Sequence, residues 1–158
     1  MGWQRSTTIF LVIGVVVIVL ASAIAYMFMN FQPRVELRLG SGIFKAKVAA
    51  TQSARELGLS GVDKLSADEG LIMVFPSDST WNIWMSGMKV PIDIVWLDSQ
   101  KKVVYIVRNA DPELHEDKVF VPLNPARYVV ELPAESVQQY GVKSGDIADF
   151  DISSYQVE

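Results

Sequence analysis

The apolar residues of this chain follow two patterns, one continuous segment near the start and short alternating segments after it. Residues 9–29 carry no charge. At about 1.5 Å per residue, a helix of this length spans roughly 31 Å, the thickness of a hydrocarbon core. Trp3 precedes the segment and Phe31 follows it, where aromatic side chains suit the two membrane interfaces. The pattern predicts a short flank over residues 1–8, a transmembrane anchor over 9–29, a linker over 30–34 and a soluble β-rich domain over 35–158.

The apolar segment has a second interpretation, a cleaved signal peptide. Ala21, Ser22 and Ala23 match the small-residue pattern of a cleavage site, but apolar sequence continues to Phe31 without a polar break. Orientation also has two interpretations. Basic residues after the segment favour a domain inside the cell, whereas large domains cross membranes largely regardless of such charges. We expect an uncleaved, single-pass anchor in the cell membrane with an extracytoplasmic domain.

Beyond the linker, apolar and polar residues alternate in short segments between turn-forming residues, which is the pattern of β-strands. The Gly-Ser-Gly turn at residues 40–42 predicts a β-hairpin over residues 34–50. Pro76 is expected to end a strand that begins at Leu71. Residues 109–125 are expected to form a long surface loop with a short strand near 119–121. Further strands are predicted over residues 80–85, 90–97, 103–108, 128–132 and 147–152.

Two short helices are also predicted. Ser53 and Glu56 have the spacing of a capping box at the start of the first helix, which ends near Gly58. The second helix covers residues 135–140 and is followed by Gly141, a good C-terminal cap residue. We therefore predict an α+β fold, mostly antiparallel β and barrel-like or sandwich-like, with two short helices.

The predicted soluble part is acidic. All 18 acidic residues and 13 of the 14 basic residues follow Pro33, which gives this part a net charge of −5. No basic run interrupts the pattern, so nucleic-acid binding is not expected. The sequence has no cysteine and a single histidine, His115, which excludes thiolate sites and zinc sites with two or three histidines in one chain. We find no nucleotide-binding glycine loop and predict neither a cofactor nor a bound metal ion.

Several motifs in this order and spacing resemble the family known as domain of unknown function 192. They are Arg-Glu-Leu-Gly-Leu at residues 55–59, Gly-Leu-Ile-Met-Val-Phe at 70–75, Trp-Met at 84–85, Pro-Ile-Asp-Ile at 91–94 and Tyr-Val-Val-Glu-Leu at 128–132. The resemblance covers about residues 47–150. Ser86, Gly87 and Met88 depart from the Lys-Asn-Thr that tends to follow Trp-Met in the family. The resemblance implies a small, mostly β domain, often exported or membrane-anchored, and no established reaction.

Asp93 is the most informative polar residue. Both faces of the predicted strand over residues 90–97 are apolar, so this strand is expected to be central with one carboxylate inside it. A buried carboxylate must be paired, hydrogen-bonded or protonated. Arg55 is the preferred partner, with Lys89, Arg108 and Arg127 as alternatives. Asp93 either fastens the first helix to the sheet or forms the floor of a ligand cleft.

Tryptophans and further carboxylates supply the other candidate chemistry. Trp81 and Trp84 point to opposite faces of their predicted strand, so at least one belongs to the core. An exposed tryptophan can stack on a sugar ring or a protein partner. Asp93, Glu131 and Asp146 are candidates for acid–base chemistry between paired carboxylates.

The candidate residues of a ligand cleft, or structural polar residues, are Arg55, Trp84, Asp93 and Glu131. We assign no catalytic residue and favour a non-enzymatic function. The chain is expected to be a membrane-anchored, envelope-facing binding or accessory domain for a cell-surface glycan or an envelope protein. The alternative is a carbohydrate-active hydrolase that uses Asp93 and Glu131 as paired carboxylates.

Overall fold

The computed structural model describes residues 13–23, 34–115 and 118–158. The chain divides into two compact units, Met1–Pro33 and Arg34–Glu158. In the first unit, residues 13–23 form helix α1, whose large apolar side chains are exposed. Within the described ranges, no helix has both the length and the hydropathy that a membrane span requires. Residues 1–12 and 24–33 lie outside the described residues, so the anchor over 9–29 stays a prediction.

The described part of the second unit contains eight strands and three short helices. In chain order these elements are β1 (Val35–Leu39), β2 (Gly42–Ala49), α2 (Gln52–Leu57), β3 (Glu69–Ser79), β4 (Ile83–Trp84), β5 (Ile92–Leu97), β6 (Val103–Ala110), α3 (Pro112–His115), β7 (Val119–Phe120), β8 (Ala126–Pro133) and α4 (Ser136–Gln139). The prediction of a mostly β fold with short helices is confirmed. The prediction of two helices is wrong, because α3 forms inside the expected surface loop.

Six of the described strands form one mixed sheet in the order β1-β2-β3-β8-β5-β6, and β4 pairs separately with β7. The β2–β3 pair is parallel, and the other described pairs are antiparallel, as predicted for most of the fold. The segment over residues 145–149 hydrogen-bonds to both outer strands. The N–H of Arg38 in β1 donates to the carbonyl of Asp149 at 2.8 Å, and the N–H of Val103 in β6 donates to that of Asp146 at 2.8 Å. This segment therefore connects the two edges of the sheet, although it forms isolated bridges and not the predicted strand over 147–152.

Apolar side chains cover both faces of the sheet. The first core includes Phe44, Ile72 and Leu132, and the second includes Met73, Ile94 and Trp96. Neighbouring residues of one strand fall in different cores because side chains alternate between the faces. All residues of β5 are buried, which confirms the prediction of a central strand here.

Two local predictions are corrected by the structure. β3 continues through Pro76 to Ser79, because the pairing with β8 shifts register between Val74 and Ser79. A proline is tolerated at such a bulge, because no hydrogen bond between the paired strands requires an N–H there. Helix α2 is capped by Thr51, whose Oγ1 accepts a hydrogen bond from the N–H of Ala54 at 3.3 Å, and not by Ser53.

Candidate functional site

An open pocket of about 660 Å³ lies beside the second core. Its wall is built from α2 and the turn after it, from β3, and from the residues that lead into and through β4. Three of the four predicted site residues, Arg55, Trp84 and Glu131, line this pocket. Asp93 is not among the lining residues, so the structure gathers three candidates and separates the fourth from them.

Glu131 lies at the centre of the sheet and forms part of the pocket lining. Its strand, β8, runs between β3 and β5, and Glu131 is paired with Leu71 on one side and Ile94 on the other. The residue is 3% exposed. The N–H of Leu59 donates a hydrogen bond to the Glu131 carboxyl group. Its Oε2 atom has no hydrogen-bond partner within the described part of the chain.

Burial changes the acid–base behaviour of Glu131. Removal from water disfavours the charged form and raises the pKa of Glu131 from its ordinary value of 4.5 to about 7, while the hydrogen bond from Leu59 opposes this rise. The carboxyl group can therefore gain or lose a proton near neutral pH. As a neutral acid it offers one O–H donor, and as a carboxylate it offers acceptors only.

Gly58 allows the turn after α2 to pass close to this carboxyl group. Its φ of +52° lies in the left-handed region that favours glycine. A side chain at position 58 would meet Met73 Cε at 3.1 Å and Glu131 Oε2 at 3.5 Å. Sequence reasoning used Gly58 only as the end of a helix, and it did not predict the close approach to Glu131.

Three aromatic residues, Phe75, Trp81 and Trp84, line the pocket. Trp84, in β4, is 43% exposed. Trp81 stacks on Phe75 with a centroid distance of 4.4 Å and an interplanar angle of 13°. Trp96 is fully buried, and its Nε1–H donates to the carbonyl of Trp81 at 2.9 Å. Trp84 is therefore the more exposed of the two tryptophans that line the pocket, while the half-buried Trp81 packs against the second core.

Arg55 has a different partner set from the one predicted. Its Nη1 donates to the carbonyls of Ala50 at 2.7 Å and Val74 at 2.8 Å, and its Nη2 donates to the main-chain oxygen of Glu158 at 2.6 Å. Its guanidinium also lies 5.2 Å from the centre of the Phe75 ring. These contacts fasten α2 to β3, and partial burial lowers the pKa of Arg55. The predicted Arg55–Asp93 pair is wrong.

Asp93 serves as an internal acceptor of main-chain hydrogen bonds. It is fully buried. Its Oδ1 accepts from the N–H of Asn109 at 2.8 Å, and its Oδ2 accepts from the N–H of Val137 at 2.7 Å. Asp93 therefore joins the end of β6 and the start of α4 to β5. These contacts match the structural one of the two interpretations of Asp93, whereas the choice of an arginine or lysine as its partner is wrong.

The predicted carboxylate pair does not form. In the β5–β8 register, Asp93 is opposite Leu132 while Glu131 is opposite Ile94, so the two acids point to opposite faces of the sheet. Asp146 closes a turn by accepting from the N–H of Lys143 at 2.8 Å. In the described ranges, no three acidic or histidine side chains gather where they could hold a metal ion. Of the candidate acids Asp93, Glu131 and Asp146, Glu131 is the one that lines the pocket.

The DUF192 family, described as "Uncharacterized ACR", matches residues 35–150. The chain belongs to this family. DUF192 relatives include a UPF0127 protein of Thermococcus gammatolerans, 30% identical over 90 residues that make up 56% of each chain. Another, from Pyrococcus furiosus, is 33% identical over 78 residues, which make up 48% of this chain and 63% of the relative. The matched part is thus less than two thirds of the length of these relatives.

The solved structures that resemble the DUF192 chain include two with the same TM-score. The first is a candidate transcription regulator from Sinorhizobium meliloti 1021, with a TM-score of 0.67 and 29% identity over 74% of this chain and 92% of that one. The second is a protein of unknown function from Novosphingobium aromaticivorans, with a TM-score of 0.67 and 24% identity over 73% of this chain and 83% of that one. The second likeness concerns the fold alone.

Proposed function

We propose that this DUF192 chain is a binding protein whose small, ring-containing ligand occupies the pocket beside Glu131. The observation that carries the proposal concerns Glu131, a residue of the pocket lining whose buried Oε2 atom has no hydrogen-bond partner in the described part of the chain. Buried polar atoms are almost always hydrogen-bonded, so an exception at a pocket wall suggests that a ligand supplies the missing donor.

The pocket has the general character of a small-molecule site. Its volume of about 660 Å³ falls in the usual range for ligand pockets, and aromatic and apolar residues make up much of its lining. A titratable group with a strongly raised pKa also tends to mark functional sites. The sugar unit of a cell-surface glycan is one such ligand, because Trp84 offers a ring face at the pocket and Glu131 can accept a hydrogen bond from a hydroxyl group.

Binding is favoured over hydrolysis by the arrangement of the acids. A glycosidase of the common type needs two carboxyl groups on either side of one glycosidic bond. Glu131 and Asp93 lie on opposite faces of the sheet, and both oxygens of Asp93 are engaged. This arrangement disfavours a hydrolase that pairs these two residues.

A panel of monosaccharides and single-ring fragments tests the binding proposal on the full chain in detergent micelles. Amide and indole NMR signals of Leu59, Trp84 and Glu131 are expected to shift together on addition of a ligand. Trp84→Ala should weaken this binding, whereas Leu123→Ala should not, because Leu123 is an apolar residue that is 83% exposed and not part of the pocket. Shifts that map consistently to another surface would overturn the proposal.

We also propose that the chain is anchored in the cell membrane with its second unit outside the cytoplasm, facing the cell envelope. The uncharged apolar segment over residues 9–29 supports this, as do the exposed apolar side chains of α1. The chain is expected to stay with membranes in alkaline carbonate, and protease added outside spheroplasts should digest the second unit. Release by carbonate contradicts the anchor, and protection from external protease contradicts the orientation.

The acidic charge of the second unit bears on whether this chain could bind nucleic acid. The net charge of −5 after Pro33 disfavours contact with nucleic-acid phosphates. We therefore do not extend a role in transcription from the Sinorhizobium meliloti protein to this chain.

A further inference from the structure

We infer that the pocket selects an organic cation, namely an amine that carries a flat apolar group. This inference rests on the proposed function, since it takes the pocket to be the ligand site and specifies the chemical class of the ligand. It is carried by three features of the pocket: the charges of its lining, its aromatic surface and the Glu131 oxygen that has no hydrogen-bond partner among the described residues.

The charged residues that line the pocket have a negative balance. Among the described residues they are the acids Glu56, Glu131 and Glu158 and one base, Arg55. The guanidinium of Arg55 already donates to three main-chain oxygens at 2.6–2.8 Å, so much of its donor capacity is used inside the protein. A ligand in the pocket therefore meets more negative than positive charge, which favours a cation and disfavours an anion.

The aromatic surface suits a cation with an apolar group. Trp84 is exposed at the pocket, and the stacked pair of Phe75 and Trp81 forms another part of the lining. Aromatic ring faces attract cations through the negative potential of their π-systems, and they also pack well against flat apolar groups.

The oxygen of Glu131 completes the match. An ammonium group is a donor without acceptor capacity, and Oε2 is a buried acceptor that lacks a donor in the described part of the chain. Their contact would be a charge-assisted hydrogen bond, the stronger kind of hydrogen bond in proteins. A neutral hydroxyl group can also donate to Oε2, but it gains nothing from the negative balance of the lining.

Three probes of one shape separate these cases in calorimetric titrations of the full chain in micelles at pH 8. They are phenethylamine as the cation, 2-phenylethanol as its neutral counterpart and 3-phenylpropionate as an anion. The amine is expected to bind at least about tenfold more tightly than the alcohol, which is the scale of one hydrogen bond to a charged group. The anion is expected to bind most weakly.

Substitutions assign the selectivity to the pocket. Glu131→Gln keeps the shape of the side chain and should weaken amine binding by about tenfold while leaving alcohol binding nearly unchanged. Glu36→Gln removes the same charge from an exposed site outside the pocket and should change neither affinity. Glu56 is an exposed residue of the lining, so the Glu56→Gln variant should fold even if the Glu131→Gln variant does not. Glu56→Gln should weaken amine binding roughly twofold.

The outcomes distinguish this inference from the proposed function. Equal binding of amine and alcohol, both weakened by Trp84→Ala, overturns the selection of cations and leaves the pocket as the ligand site. Absence of binding by all three probes also overturns it, and the fragment panel then decides the proposed function separately. Tight amine binding that survives both Glu131→Gln and Glu56→Gln overturns the assignment to these carboxylates.

Discussion

Asp93 and Glu131 lie on adjacent strands, β5 and β8, and point to opposite faces of the same sheet. The register pairs Asp93 with Leu132 and Glu131 with Ile94, and directly paired residues share a face. On one face, both oxygens of Asp93 accept main-chain hydrogen bonds. On the other, Glu131 keeps one oxygen without a partner in the described part of the chain. Two buried acids of one sheet thus have different roles, one in holding the fold together and one at the proposed ligand site.

Replacement of Asp93 by asparagine should destabilise the second unit. An amide group presents one oxygen and one NH₂, so either the N–H of Asn109 or that of Val137 would face a donor instead of an acceptor. We expect Asp93→Asn to lower the free energy of unfolding by about 2 kcal/mol, measured by urea denaturation. Glu36→Gln, at an exposed site, should leave it nearly unchanged. An unaltered urea midpoint for Asp93→Asn contradicts the structural role.

Glu131 should make the second unit less stable as the pH rises toward 8. Its pKa in the folded chain is about 7, above its ordinary value of 4.5, so the folded state binds more protons than the unfolded state between these values. Stability from this group is therefore fully present below pH 4.5 and is lost as the pH rises through 7. The free energy of unfolding, relative to that of Glu131→Gln, should fall by about 2–3 kcal/mol between pH 5 and pH 8.

The comparison with Glu131→Gln isolates this single group. Arg55, Glu56 and Glu158 line the same pocket, but burial and the N–H of Leu59 are the causes of the shifted pKa. The lowered pKa values of Asp68, Glu69 and Asp151 act below pH 5, and the raised pKa of Lys45 acts well above pH 8. Parallel pH profiles of the two proteins would show that Glu131 does not titrate in this range.

Arg55→Lys should loosen α2 although it keeps the positive charge. The planar guanidinium reaches Ala50, Val74 and Glu158 at once, whereas a single ammonium group cannot reproduce this fork. We expect a loss of about 1–2 kcal/mol and faster amide hydrogen exchange in α2. Arg38→Lys, on an exposed side chain of β1, is the matched control and should change neither quantity. Equal behaviour of the two variants contradicts the fastening role of Arg55.

Gly40 and Gly61 provide a matched pair that separates a steric clash from backbone strain. Both have positive φ, +58° and +78°, so alanine is strained at either position. A Cβ at Gly40 would lie 2.3 Å from the carbonyl oxygen of Tyr140, whereas a Cβ at Gly61 meets nothing within 4 Å. Gly40→Ala should therefore lower the free energy of unfolding by about 2 kcal/mol more than Gly61→Ala. Equal losses would mean that the turn and Tyr140 are not packed closely.

Local chemistry accounts for the parts of the fold that could be predicted from the sequence. Alternation and turn residues indicated the β1–β2 hairpin and the position of β6, and the apolar surroundings of Asp93 indicated a buried central strand. The prediction that the strand ends at Pro76 is wrong, because proline ends a strand only where its N–H is needed and the bulge opposite β8 removes that need. The membrane anchor over residues 9–29 and its predicted boundaries with the flank before it and the linker after it remain predictions.

The sequence by itself determined that the chain forms a mostly β unit, that β5 is central and that a carboxylate is buried within it. These properties follow from the order of side chains along individual strands. The tertiary structure alone decided that Asp93 is held by the main chain of β6 and α4 and that Glu131 faces a pocket with Arg55 and Trp84. Strand alternation specifies which residues of one strand share a face. It does not specify which distant strand, turn or helix covers that face, because those pairings depend on contacts between residues far apart in the chain.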